Sequence, residues 1–148
     1  MSTIRITKEF RFEMAHALVG HNGPCRNIHG HSYYLHVTVK GKVKNGTEDP
    51  DEGMVVDFSV VKGIVEPLIV QKYDHALVLW DKMEIDVSQF DFMESGKLIK
   101  VPFNPSCENL LLHFAEMIKG QLPANLELTY LRLRETQNSF AEWYASDN

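Results

Sequence analysis

PCRNIHGHSYYLHV, residues 24–37, gathers one cysteine and two histidines within seven residues and then passes into strand-like alternation. Tyr33, Leu35, Val37 and Val39 share one side of an extended chain; Tyr34, His36, Thr38 and Lys40 share the other. Residues two apart on a strand project to the same side, about 7 Å apart. His29 and His31 therefore join the apolar side if the extended backbone reaches back to them.

The preceding segment has the same period. Ile4, Ile6, Phe10, Phe12 and Met14 occupy even positions, and Thr3, Arg5, Thr7, Glu9, Arg11 and Glu13 occupy odd ones. This predicts a half-buried strand, and His16 continues its apolar side just past the expected end. Three histidines can then meet at one end of one sheet face. Farther along, KVKNGTEDPDEG is a polar turn. MVVDF leads into a helix capped by Asp57, with Phe58, Val61, Ile64, Val65 and Leu68 at helical spacing and Pro67 kinking or shortening it. NPSCENLLLHFAEMIKG predicts a second helix, capped by Ser106, with Leu110, Leu111, Phe114, Met117 and Ile118 inward and Gly120 at its end. LELTYLRLRET is a strand with Leu131, Leu133 and Glu135 on one face, and SFAEWYA a last short one. Antiparallel strands with two helices make the fold class α+β, since regular strand–helix alternation is missing.

The chain has 148 residues, 44% of them hydrophobic, which suits a single domain over residues 1–148. No run of 18 apolar residues is present, so no membrane-spanning helix is expected. MSTIRITKEF has neither the apolar run nor the cleavage site of a secretory signal, which makes the cytoplasm the expected location. The two cysteines do not form a disulfide framework. The net charge is −5, and no basic stripe of the kind that binds nucleic acid is visible.

His16, His29 and His31 are candidate ligands of zinc, which takes imidazole nitrogen and is usually tetrahedral. Cys25 has two readings: a fourth ligand that closes a structural site, or a thiolate base beside an open one. Asp74 directly precedes His75, an arrangement suited to an acid–base relay and also common as an ordinary surface pair. Glu135 ends an apolar face, where packing alone does not ask for a carboxylate; its alternative reading is a salt bridge to Arg132 or Arg134. Glu108 sits where a first-turn negative charge favours the helix. Cys107 reads as structural, and His21, His36 and His113 as surface or packing residues.

FEMAH, C-x3-HGH, DH, NPSCEN and RET occur in this order over residues 10–136. This series resembles the 6-pyruvoyltetrahydropterin synthase / 6-carboxytetrahydropterin synthase family over nearly the whole chain. The resemblance implies that His16, His29 and His31 bind Zn2+, that Cys25 is the base acting on the substrate side chain, and that Asp74 and His75 form the relay. Glu135 would anchor the pterin ring, with Glu108 of the NPSCEN element counted among the substrate-binding residues. It implies the tunnelling fold: an antiparallel four-stranded sheet with two helices, trimers closing a barrel, two trimers making a hexamer, and active sites between subunits. The three-residue gap between Cys25 and His29 looks like that of the 6-carboxytetrahydropterin synthases of queuosine biosynthesis. These convert 7,8-dihydroneopterin triphosphate to 6-carboxy-5,6,7,8-tetrahydropterin, releasing acetaldehyde and triphosphate. The rival readings are a 6-pyruvoyl-forming or other side-chain-cleaving pterin enzyme, and a zinc- or pterin-binding module without turnover. Two features depart from the pattern. Residues 76–103 are long, with Trp80, Met83, Ile85, Val87, Phe90 and Phe92 suggesting an ordered insertion such as a hairpin turning at ESGK. Cys107 stands where a small hydroxyl residue is common.

Overall fold

The computed structural model describes residues 2–46, 48–86, 88 and 97–148. In chain order its strands are β1 (Thr3–His16), β2 (His29–Lys42), β3 (Ala76–Trp80), β4 (Leu98–Val101), β5 (Glu127–Thr136) and β6 (Ser139–Tyr144). The helices are α1 (Phe58–Val65), α2 (Gln71–Tyr73) and α3 (Cys107–Lys119). One sheet has the order β4-β3-β1-β2-β5-β6.

The alternation in the sequence sets the antiparallel part. β1 and β2 pair along their whole length, from Thr3 opposite Lys42 to His16 opposite His29. β5 pairs antiparallel with β2, and β6 with β5. Phe10, Phe12 and Met14 of β1, Tyr33, Leu35 and Val37 of β2, and Leu131 and Leu133 of β5 are all buried on one face. Phe12 stacks on Tyr33 with ring centroids 5.3 Å apart, and Phe114 of α3 meets Phe12 edge-on. Each such side chain taken fully out of water stabilises the fold by about 1.5–3 kcal/mol.

The helices lie on that face. Asp57 caps α1 by accepting from the Ser59 N–H, and Ser106 caps α3 by accepting from the Asn109 N–H. α1 runs through a π-helical stretch, Glu66–Val70, into α2. Pro67 causes the widening: it has no N–H to give, and its ring crowds the preceding turn. Gln71 N–H accordingly reaches back five residues to the Glu66 carbonyl. The wider turn keeps every fourth residue inward, so Val61, Val65, Ile69 and Tyr73 are buried. Leu68 is only partly buried and Phe58 is exposed, so helical spacing alone misplaces both.

The four antiparallel strands expected from the sequence are extended by two more. β3 pairs in parallel with the tip of β1, at Met14, Ala15 and His16, and β4 pairs in parallel with β3. The run ALVLW is apolar without alternation, the pattern of a strand buried on both sides. Ala76 and Val78 face the main core, while Leu77 and Leu79 join Ala17 in a second cluster against which Met83, Ile85 and Leu98 pack. Within residues 76–103 β4 pairs with β3, and in parallel, whereas the first arm of the hairpin expected to turn at ESGK falls mostly outside the described residues. Most of its ESGK turn lies outside the described residues, as do Val87, Phe90 and Phe92.

β3 covers only the last three residues of β1. Among the described residues, the far edge of β1 over residues 3–12 meets no strand, and β6 forms the sheet's other free edge. No helix among the described residues is long and apolar enough to cross a membrane.

Candidate metal centre

His16 closes β1, His29 opens β2 directly opposite it, and His31 follows two residues later on the same face. The three rings pack with centroids 4.6–5.2 Å apart. Each offers one nitrogen to a set whose members all lie within 4.8 Å of one another. Such a cluster is out of place in a core: His16 and Thr38 are the buried polar residues among those described, and His16 is 1% exposed.

Hydrogen bonds to carbonyl oxygens, which only accept, assign the ring protons. His16 Nδ1–H donates to Pro105 O at 2.7 Å, and His29 Nδ1–H donates to Asn27 O at 2.7 Å. In neutral rings both Nε2 atoms then carry lone pairs, yet they stand 3.1 Å apart. Among the described residues, His31 Nε2 is buried without a hydrogen-bond partner. Burial pushes the pKa values of His16 and His31 down, favouring the neutral, ligating form. Two facing lone pairs are repulsive alone, and with the buried His31 nitrogen beside them they suit a cation placed among the three. A backbone carbonyl on the remote N–H is a common support of metal-bound histidine. The residues thus fit a bound metal ion.

Glu135 reaches this centre from β5. Its Oε1 lies 3.4 Å from His16 Nε2 and 3.7 Å from His31 Nε2. Tyr33 O–H donates to the same oxygen at 3.1 Å. Among the described residues the alternative pairing of Glu135 with a neighbouring arginine does not form: Arg132 stacks on Phe140 and Arg134 on Tyr34. Tyr33, expected from the alternation only as a core residue, is therefore part of the site. Its place two residues after His31 on the same face was the available signal. Burial and the Glu135 carboxylate push its phenol far up, so it remains a donor.

Cys25 lies in a single 3-10 turn, Pro24–Arg26, half-buried, and its carbonyl accepts from Leu18 N–H at 2.9 Å. Among the described residues, the donors gathered within ligand range are the three imidazole nitrogens, and the Cys25 thiol is not one of them. Cys107 is buried and its S–H donates to the Leu133 carbonyl. Burial pushes this thiol up to about 12, consistent with a structural role.

Asp74 and His75 sit where α2 turns into β3. His75 has φ 60°, a left-handed conformation uncommon without glycine. Two bonds to one residue of β1 hold it there: His75 N–H donates to Glu13 O at 2.6 Å, and Asp74 Oδ1 accepts from Glu13 N–H at 2.8 Å. Asp74 Oδ2 lies 2.9 Å from His75 Nδ1. Burial alone would raise the Asp74 carboxyl, but the bonds from Glu13 N–H and His75, with the charges of His75 and Lys97, bring it below the usual range. His75 is 76% exposed and borders an open hollow of about 430 Å³ shared with Glu13, His31 and Ser32. Glu108 is exposed and borders a different hollow, with Leu111, Leu112 and Trp143.

Comparison with known proteins fits this geometry. Residues 5–146 match the family model described as 6-pyruvoyl tetrahydropterin synthase. A 6-carboxy-5,6,7,8-tetrahydropterin synthase of Haemophilus influenzae is 35% identical over 142 residues, covering 94% of this chain and 97% of its own. The protein of that name from Rickettsia typhi is 34% identical, covering 94% and 99%. Among solved structures, 6-pyruvoyl tetrahydropterin synthase of Plasmodium falciparum superposes with a TM-score of 0.72 at 21% identity, covering 97% of this chain and 99% of its own. The Caenorhabditis elegans protein does so with a TM-score of 0.68, also at 21% identity, covering 98% and 97%. At these identities the likeness establishes the fold, that of the tunnelling-fold protomer.

Proposed function

The chain belongs to the 6-pyruvoyl tetrahydropterin synthase family, and we propose that it is the member that turns 7,8-dihydroneopterin triphosphate and one water into 6-carboxy-5,6,7,8-tetrahydropterin, releasing acetaldehyde and triphosphate, as a step of queuosine biosynthesis. The observation that carries this is the trio of imidazoles with their remote N–H groups tied to backbone carbonyls and the Glu135 carboxylate beside them. The names of the relatives from Haemophilus influenzae and Rickettsia typhi support the 6-carboxy product. The two unpaired thiols suit the reducing cytoplasm.

His16, His29 and His31 would hold zinc. When bound, zinc supplies Lewis acidity toward the side-chain oxygens of the substrate and leaves a position for them. Glu135 anchors the pterin, its carboxylate accepting from the amino and ring N–H groups, while Tyr33 O–H keeps Oε1 turned inward. Cys25 removes the side-chain proton, and His75, held by Asp74, relays protons.

The test is to incubate the zinc-loaded protein with dihydroneopterin triphosphate and analyse the products by mass. Acetaldehyde with the 6-carboxy pterin is expected. A 6-pyruvoyl product without acetaldehyde would reassign it within the family, and no turnover would favour a binding module. In Glu135→Gln, one acceptor becomes a donor at unchanged shape. The pterin should bind at least about tenfold more weakly, since a desolvated charge-assisted contact is worth about 1.5–3 kcal/mol. Zinc content should not change, and wild-type affinity in a titration would remove Glu135 from ring recognition.

The catalytic unit is an oligomer, a hexamer of two stacked trimeric barrels. Two features support this: the free edges of β1 and β6, which natural sheets close or cover, and the exposed position of His75, ready to serve a neighbouring copy. Sedimentation at micromolar concentration should show no active monomer; a fully active monomer would refute it.

A further inference from the structure

The middle of the loop that carries Cys25, residues 17–28, is tied to the rest of the molecule by the side chain of Asn104, the first residue of NPSCEN. Asn104 Oδ1 accepts from Val19 N–H at 3.0 Å, and Asn104 Nδ2–H donates to Val19 O at 3.1 Å. The amide imitates one rung of a strand ladder, satisfying both backbone groups of Val19. Gly20, at φ +76°, then lets the chain turn back. Inside the loop, Leu18 N–H donates to Cys25 O, His21 N–H to Leu18 O and Asn27 N–H to Pro24 O. The loop is therefore braced within itself, and His16 and His29 mark its two ends. Among the described residues, the side-chain bonds between its middle and the remainder of the chain are the two from Asn104.

Asn104 is itself held. Its carbonyl accepts from Asn109 Nδ2–H at 3.0 Å, from the first turns of α3, and from Ser106 N–H. The next residue, Pro105, presents the carbonyl that fixes the His16 ring. One short segment thus governs two groups at once: its backbone orients a candidate ligand, and its Asn104 side chain places the turn that carries the thiol.

We propose that Asn104 is a positioning residue that sets Cys25 against the three-histidine centre. Its contribution to turnover rests on the function proposed above, in which Cys25 is the base; the clamp itself does not. Asn104→Ala deletes both bonds. Asn104→Asp keeps the acceptor toward Val19 N–H and cannot donate to Val19 O, so it retains half the clamp if the alanine variant folds poorly.

The experiment uses the full-length, metal-loaded protein and reads the rate at which iodoacetamide alkylates Cys25, by mass of the Cys25 peptide; Cys107, buried and held protonated, gives the internal contrast. Each lost bond is worth roughly a factor of two to ten. Alkylation of Cys25 should therefore be faster by about that factor in Asn104→Asp and by more in Asn104→Ala, with zinc content kept. kcat should fall in the same order with KM little changed. Wild-type or slower alkylation in a folded variant overturns the proposal. Faster alkylation with unchanged kcat keeps Asn104 as the clamp and removes Cys25 as the base.

Discussion

Cys25→Ala should lower turnover by roughly two to four orders of magnitude, the usual worth of a general base, while zinc stays bound and the fold is kept. Among the described residues the thiol lies outside the set of three nitrogens that could ligate a metal. The structural service of this residue comes from its backbone, through the Cys25 carbonyl and Leu18 N–H, which alanine retains. The side chain is only half-buried, so its loss opens no large cavity. Were Cys25 instead a fourth ligand, the site would be closed and its loss would loosen the metal. Zinc content and single-turnover rate in the same preparation separate the two. A folded, zinc-replete Cys25→Ala protein working at the wild-type rate would fit neither and would leave C-x3-HGH without a catalytic cysteine.

His31→Ala should abolish high-affinity zinc binding and with it all turnover. Of the three histidines this one gives the cleanest test. His16 fills a core position and bonds Pro105, and His29 bonds Asn27, so removing either leaves a carbonyl without its donor. Among the described residues His31 Nε2 has no hydrogen-bond partner to abandon, so the variant loses a candidate ligand and a 3.7 Å contact with Glu135 Oε1. Losing an outer-shell partner costs ten- to a hundredfold in metal affinity, to order of magnitude; losing a ligand should cost more than about a hundredfold. Competition with a chromogenic chelator measures it. Full zinc occupancy in His31→Ala and in His29→Ala would end the assignment.

Much of this centre is legible in the sequence because strand alternation is a two-residue rule. Counting from Phe10 to His16 and back from Val37 to His29 places three imidazoles on one face, and counting from Leu131 to Glu135 adds the carboxylate. What holds those groups is less legible. Pro105 and Asn27 act through carbonyls, and a backbone atom leaves no mark on residue identity. Asp74 and His75 are adjacent in sequence, but their attachment to Glu13 depends on a left-handed residue and a parallel pairing. β3 was readable in kind, as an unalternating apolar run, but its partner was not: parallel neighbours are joined through long crossovers that local patterns do not encode. The π-helical stretch shifts the inward stripe from Leu68 to Ile69, a change of phase that a 3.6-residue period does not foresee.

The placement of all three imidazoles on β1 and β2 has a consequence for the order of assembly. These strands form one hairpin within the first 42 of 148 residues, and closing its connecting loop costs little more entropy than closing a shorter one. Pro105 and Glu135 come much later in the chain. During synthesis the ligand trio is complete before the residue assigned to the pterin ring has been made. A slip of one residue between β1 and β2 would turn His29 and His31 to the opposite face from His16. An ion held by all three would lock the hairpin from its loop end and fix the pairing of the first two strands while the rest of the sheet is still unbuilt.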